Sequence, residues 1–133
     1  MGDRANIALH FDAFDADTPL NEEKNVIYLY SHWDGPDLAV MLKKALIRGT
    51  GRWGDDPYLA RIIFSEMIQN NVLDETGYGL SPYVTDNSYP YANVYLRDQE
   101  VEINGKKWSF EKYVKAKDST LLKHMSGRED EEN

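Results

Sequence analysis

The residue types best suited to chemistry gather at Tyr30-Ser31-His32-Trp33-Asp34-Gly35, where a predicted strand passes into a turn. Such a strand end holds side chains rigidly at the surface, where binding groups are commonly found. His32 could act as an acid or base, or hydrogen-bond a ligand, with Asp34 or Asp37 orienting it. Alternatively, His32 is satisfied by a neighbouring carboxylate or backbone group, and Asp34 caps a helix. We select His32, Trp33 and Asp34 as candidate binding residues.

The same segment does not predict a serine nucleophile. Ser31 and His32 are adjacent on a strand, so their side chains point to opposite faces. The chain also has no Gly-x-Ser-x-Gly elbow and no cysteine, so a thiolate nucleophile and a cysteine-ligated zinc site are excluded. We predict no catalytic residue set.

Metal and cofactor sites have little support in the sequence. The three histidines are far apart and form no metal-binding motif. The spacing of Asp34, Asp37 and Asp86 matches no metal-binding motif, so nothing specific supports a magnesium site there. We predict no metal and no cofactor.

A second candidate is the segment Gly49-Thr50-Gly51-Arg52-Trp53-Gly54-Asp55-Asp56 between two predicted helices. Glycines before a helix can hold an anion through free amides, but Asp55 and Asp56 would repel a phosphate. Three interpretations remain open: a loop that holds an anion, an exposed recognition loop formed by Arg52 and Trp53, or a turn with Trp53 packed against the core.

A third candidate is the tyrosine-rich stretch from Glu75 to Tyr91. Tyrosine offers a large, rigid contact area, and Gly, Ser and Asn between tyrosines adapt their hydrogen bonds. The alternative is that tyrosines simply favour strands and that residues 86–88 form a turn. From this stretch we select the following candidate binding residues: Tyr78, Tyr83, Asp86, Asn87 and Tyr89.

The charge balance narrows the class of partner. The chain has 133 residues and a net charge of −8, with no dense Lys/Arg cluster. Phosphate backbones are bound by basic surfaces, so we expect no direct nucleic-acid binding. Acidity itself mainly promotes solubility.

No apolar run is long enough to span a bilayer, and the chain opens without a hydrophobic signal core, so we expect a cytoplasmic protein without membrane contact.

Periodicity predicts the elements that position these residues. Residues 6–11 and 26–33 read as strands, the first with one buried face and the second central in a sheet. Apolar residues at helical spacing predict helices beginning after Asp37 and at Asp55-Asp56-Pro57. Further strands follow at 78–84 and across 91–110, where Asn104-Gly105 predicts a hairpin. Pro82 predicts that the strand at 78–84 is an edge strand or an irregular one.

This order predicts an α+β fold. We expect a mostly antiparallel sheet with a helix pair packed on one face and a short C-terminal helix. Residues 1–117 would form one globular domain, and residues 118–133 an acidic, mobile tail. The oligomeric state is open, and a homo-oligomer is possible.

Several segments carry a resemblance to a family. These are Gly2-Asp3-Arg4-Ala5-Asn6-Ile7, Tyr28 to Gly35, Tyr58 to Phe64 and Glu75 to Ser81, together with Arg52-Trp53. Over residues 2–103 the chain resembles a family of small phage, mobile-element and bacterial proteins that has no established activity. The resemblance implies a phage or mobile-element origin and supplies no catalytic residues. Small acidic phage proteins often inhibit host machinery.

Three hypotheses follow. The first is a non-enzymatic binding protein that antagonises a host factor, either a protein of a defence nuclease complex such as CRISPR-Cas or a small nucleotide-like immune signal. The second is a small hydrolase acting on a nucleotide-like substrate, with His32 as acid/base and Asp34 or Glu66 assisting. The third is a structural phage protein without a specific ligand.

Overall fold

A computed structural model describes residues 2–11, 25–84 and 86–126 of the chain. Within these ranges, six strands form one sheet in the order β3-β2-β1-β4-β5-β6. The strands are β1 (Ala5–His10), β2 (Val26–Ser31), β3 (Tyr78–Ser81), β4 (Ala92–Tyr95), β5 (Glu100–Ile103) and β6 (Lys106–Ser109). The helices are α1 (Leu38–Arg48), α2 (Asp56–Ile68), α3 (Phe110–Lys115) and α4 (Asp118–Met125).

The predicted α+β class with a mostly antiparallel sheet is confirmed. Neighbouring strands are antiparallel except β1 and β4, which run parallel in the centre. This parallel pair arises because the chain leaves β3 at one edge and returns to add β4 on the far side of β1. Alternation patterns identify strands but not their pairing partners, so the sequence did not predict it.

The helices bury their apolar stripes against one face of the sheet. In α1 the buried residues follow the predicted helical spacing: Leu38, Ala39, Leu42, Ala45 and Leu46. They form one hydrophobic core with strand residues such as Ile7, Leu29 and Val94. Within the described ranges, no helix is both long enough and apolar enough to cross a membrane.

The prediction that β1 buries only one face is wrong. Asn6 and Ala8, on the face away from the helices, are both 1% exposed. The connection from β3 to β4 covers Asn6, whose amide donates to the Asp86 backbone oxygen at 2.9 Å. Ala8 is small and lies in register between Tyr28 and Asn93 on the neighbouring strands.

A further helix lies beyond the predicted domain end at residue 117. Residues 118–125 form α4, and its Leu121 and Met125 are fully buried in the core. Lys43 of α1 fixes the start of α4 by donating to the Ala116 carbonyl at 2.7 Å and to Asp118 Oδ1 at 2.9 Å. Residues 127–133 of the predicted tail lie outside the described residues, as do residues 12–24 of the acidic connection.

Candidate functional site

The turn after β2 is built around a buried serine. Ser31 is 0% exposed. Its Oγ donates to Asp34 Oδ2 at 2.9 Å and accepts from the Asp34 and Trp33 amides at 3.0 and 3.3 Å. A serine hydroxyl can satisfy backbone groups of a tight turn in this way. The turn then passes through a 3₁₀ segment, Gly35–Asp37, into α1.

Asp34 links this turn to β3. The Tyr78 hydroxyl donates to Asp34 Oδ2 at 3.0 Å, so that one carboxylate oxygen accepts from both Ser31 and Tyr78. Burial raises the pKa of Tyr78, and the hydrogen bond to Asp34 raises it further. The cluster therefore joins the end of β2 to the start of β3.

A polar cavity of about 410 Å³ lies beside this cluster, between the start of α1 and the end of α2. Its charged lining comes from Asp34, Asp37 and Lys44, with amides from Gln69 and Asn71. Two carboxylates and one ammonium give the cavity a negative balance, which suits a cationic or polar group better than a phosphate.

His32 lies on the opposite face of β2 from Ser31. Its Nδ1 is 2.8 Å from the Tyr30 hydroxyl, and its ring meets Trp33 edge-on, with centroids 4.5 Å apart. Gly2 packs so closely on His32 that a Cβ at residue 2 would collide with the histidine carbonyl. Trp33 itself is 57% exposed. His32 is thus held by Tyr30 and the N-terminal segment, and it presents Trp33 to solvent.

The segment containing Asp86, Asn87 and Tyr89 is tied to the N-terminal residues. Arg4 Nε lies 3.3 Å from Asp86 Oδ2, and the Ser88 amide donates to the Arg4 carbonyl at 2.9 Å. The Tyr89 hydroxyl donates to Asp3 Oδ1 at 3.2 Å. Burial, together with this hydrogen bond, raises the pKa of Tyr89.

The N-terminal strand also reaches the His32 turn, because the Gly35 amide donates to the Asp3 carbonyl at 2.9 Å. Asn6 adds a bond from its amide to Asn87 Oδ1 at 3.0 Å. Residues 2–6 therefore hold two of the three predicted loops together. Asp3, Arg4 and Asn6 were not among the predicted site residues. Asn6 did carry a signal, because an asparagine within a strand pattern requires a hydrogen-bond partner when it is buried.

The third loop lies elsewhere. α1 has 11 residues and so separates Arg52 and Trp53 from the Asp34 turn by about 16 Å. Trp53 packs edge-on against Phe110 and donates from Nε1 to the Leu46 carbonyl at 2.9 Å. Among the interpretations of this segment, the turn with Trp53 packed against the core agrees with these contacts.

Arg52 stays exposed but has local partners. Its guanidinium lies 5.0 Å from the Tyr58 ring centroid, and its Nη1 is 3.5 Å from Asp55 Oδ2. Arg52 and Trp53 are therefore not brought together with the other candidate residues.

The two carboxylates that the hydrolase hypothesis assigns to assist His32 have other partners in the described part of the chain. Asp34 accepts hydrogen bonds from Ser31 and Tyr78 on the other face of the strand. Glu66 pairs with Arg48 at 3.0 Å on the helix pair. Across residues 2–11, 25–84 and 86–126, no three His, Asp or Glu side chains group closely enough to hold a metal ion.

Large apolar and aromatic side chains are exposed on β3, in the residues that flank it in the sequence, and at Trp33 in the turn after β2. We define the β3 edge surface as Trp33, Leu73, Leu80 and Tyr83, which are 57%, 90%, 58% and 63% exposed. Trp33 reaches this edge because its Nε1 lies against Gly77, directly before β3. Tyr83 is held at the other end of β3, where its amide donates to Ser81 Oγ at 3.0 Å.

Comparisons with known proteins add no relative. No family model matches the chain, and searches of curated proteins and of solved structures found no match.

Proposed function

We propose that the protein is a non-enzymatic binding protein that contacts a protein partner through the β3 edge surface and so antagonises a host factor. The observation that carries this proposal is the exposure of Trp33, Leu73, Leu80 and Tyr83 on β3 and in the segments around it. Exposed apolar side chains are common singly, but a group of them is typical of an interaction site. Tryptophan and tyrosine are also the residue types that contribute most to binding energy at interfaces.

The surroundings of Trp33 support binding rather than catalysis. His32, Ser31 and Asp34 form hydrogen bonds that fix the turn and aim Trp33 outward. Rigid aromatic side chains lose little conformational freedom on binding. His32 and Asp34, to which the hydrolase hypothesis gave acid/base roles, therefore support a preorganised surface.

The charge of the protein supports a basic partner surface. The net charge is −8, and Asp74 and Glu75 are exposed directly before β3. Charge complementarity accelerates association and selects against acidic partners. Proteins of a defence nuclease complex bind nucleic acid through basic surfaces, so they fit this description. The phage or mobile-element origin implied by the resemblance favours such a target.

A plating assay tests the proposal. The protein is expressed in bacteria whose CRISPR-Cas system targets an infecting phage, and plaque formation is counted. We expect the wild-type protein to restore plaque formation and the double variant Trp33→Ala, Leu80→Ala to lose this effect. Ile47→Ala and Tyr58→Ala are matched controls, because both residues are exposed to a similar extent but lie away from the β3 edge surface.

Two outcomes would contradict the proposal. One is wild-type protein that leaves plaque formation unchanged in cells with an active defence system. The other is equal activity in the double variant and the controls, with circular dichroism showing that all are folded.

A further inference from the structure

We propose that the exposed edge of β3 binds an extended segment of the partner protein as an added strand. This inference rests on the proposed function and specifies how the partner is recognised. The two edges of the sheet differ in a way that points to β3. The β6 edge carries the exposed lysines Lys106 and Lys107, which discourage strand pairing. The sequence of β3 is Tyr-Gly-Leu-Ser and has no charge.

The register shows that β3 has free backbone groups on its outer side. The His32 amide donates to the Gly77 carbonyl at 2.8 Å, so these residues form a hydrogen-bonded pair. Such pairs alternate along an antiparallel ladder. Gly79 and Ser81, opposite Tyr30 and Tyr28, therefore bond to β2. The backbone groups of Tyr78 and Leu80 point away from the sheet, and no group within residues 2–11, 25–84 and 86–126 hydrogen-bonds to them.

An apolar groove lies beside the same edge. It has a volume of about 540 Å³ and runs between α2 and the sheet, with Leu80 and Pro82 at the β3 side. Its walls include Ile27, Leu29 and Phe64, and Arg61 supplies the charged group. A strand added to β3 would place alternate side chains on the helix face, next to this groove. Apolar residues at those positions would be buried there.

The charges around the edge indicate a basic segment. Asp74 and Glu75 are exposed where the chain enters β3, and neither forms an ion pair within the described ranges. Lysine or arginine near the end of the added strand would pair with them. A second copy of the chain is a poorer occupant, because each copy carries a charge of −8 and the copies would repel.

Two substitutions at residue 80 separate strand addition from side-chain contact, because Leu80→Pro and Leu80→Ala both lose the leucine side chain and only Leu80→Pro loses the amide. That amide points outward, so the bonds between β2 and β3 stay in place. Lys107→Pro is the matched control on the opposite edge. In the hairpin formed by the positive-φ residues Asn104 and Gly105, Lys107 pairs with Glu102 one position from the bonded Ile103–Lys106 pair. Its amide therefore also points outward.

The probe is a displayed library of random linear peptides, selected on the full-length protein. We expect enriched peptides to alternate apolar and other residues and to carry lysine or arginine near one end. Relative to Leu80→Ala, Leu80→Pro should weaken peptide binding by ~10-fold or more, equivalent to about 1.4 kcal/mol. Lys107→Pro should leave binding within about twofold of wild type. Ala60→Phe, which fills the groove from α2, should weaken binding while β3 stays unchanged. Unfolding midpoints establish that each variant is folded.

The outcomes are distinguishable. Failure to enrich any peptide, or equal peptide binding by Leu80→Pro and Leu80→Ala, overturns strand addition. Self-association that native mass spectrometry detects and that Leu80→Pro removes would identify a second copy as the occupant, and this also overturns the inference. Peptide binding that behaves as expected, without any effect on phage plating, would leave strand addition intact and contradict the proposed function. If antagonism is lost in the double variant Trp33→Ala, Leu80→Ala but kept in Leu80→Pro, the proposed function stands and strand addition is contradicted.

Discussion

At the scale of single residues, the buried Ser31 hydroxyl is the centre of the turn that presents Trp33. Ser31→Ala removes a donor to Asp34 and leaves two backbone amides without their acceptor. We expect the variant to lose about 1–3 kcal/mol of unfolding free energy. Urea denaturation measures this loss. Ser119→Ala, at an exposed serine of α4, is the control and should change stability by less than about 0.5 kcal/mol.

Tyr78 gives the protein a pH dependence in the alkaline range. Burial and the Asp34 carboxylate raise its pKa above the ordinary value of 10.0. The folded state therefore binds the phenolic proton more tightly than the unfolded chain does. The stability that Tyr78 contributes through this shift is fully present below pH 10.0. It is lost as pH rises through the higher pKa of the folded state.

The variant Tyr78→Phe removes this pH dependence together with the hydrogen bond to Asp34. At neutral pH we expect it to be less stable than wild type by about 1 kcal/mol. Above pH 10.0 the difference should shrink, because wild type loses stability that the variant does not have. Urea midpoints across this range measure the difference, with Tyr83→Phe as the control. A difference that stays constant with pH would contradict the assignment.

At the scale of elements, the entry into β3 depends on one glycine. Gly77 has a φ of +99°, and a Cβ there would lie 2.8 Å from Trp33 Nε1. Gly77→Ala should therefore destabilise the protein by about 1–3 kcal/mol and shift the indole resonance of Trp33. Gly79→Ala is the matched control, because a Cβ at residue 79 meets no atom within 4 Å. Equal thermal midpoints for the two variants would show that Gly77 does not position Trp33.

The elements themselves were largely readable from the sequence, since each depends on local patterns. The spacing from Leu38 to Leu46 identified α1, and Asn104-Gly105 identified the turn between β5 and β6. The site was less readable, because its contacts cross the chain. Asn6 and Asp86 meet although they are 80 residues apart, and local pattern carries no information about such a pair. Trp53 shows the converse, since its residue type suggested recognition and its long-range packing against Phe110 decided otherwise.

At the scale of the whole molecule, the central parallel pair explains why two of the predicted loops converge. Because β4 returns to pair with β1, the connection after β3 must pass beside the N-terminal strand. Asp86 and Tyr89 are thereby brought to Arg4 and Asp3. The α1 helix, by contrast, carries the Arg52 loop to the other end of the domain. Chain topology thus brings the His32 loop and the Asp86–Tyr89 loop together and places the Arg52 loop away from both.

The C-terminal helix tests where the domain ends. A chain that stops after residue 117 loses α4, including the fully buried Leu121 and Met125 and the ion pair between Lys43 and Asp118. Burial of a leucine or methionine side chain stabilises by about 1.5–3 kcal/mol, and small domains have only about 5–15 kcal/mol in total. We expect the shortened chain to be largely unfolded or to melt far below wild type in circular dichroism. A chain ending at Ser126 is the control, because it keeps every contact of α4 described above. If the two chains melted together, α4 would be a peripheral attachment and the domain would end near Lys117.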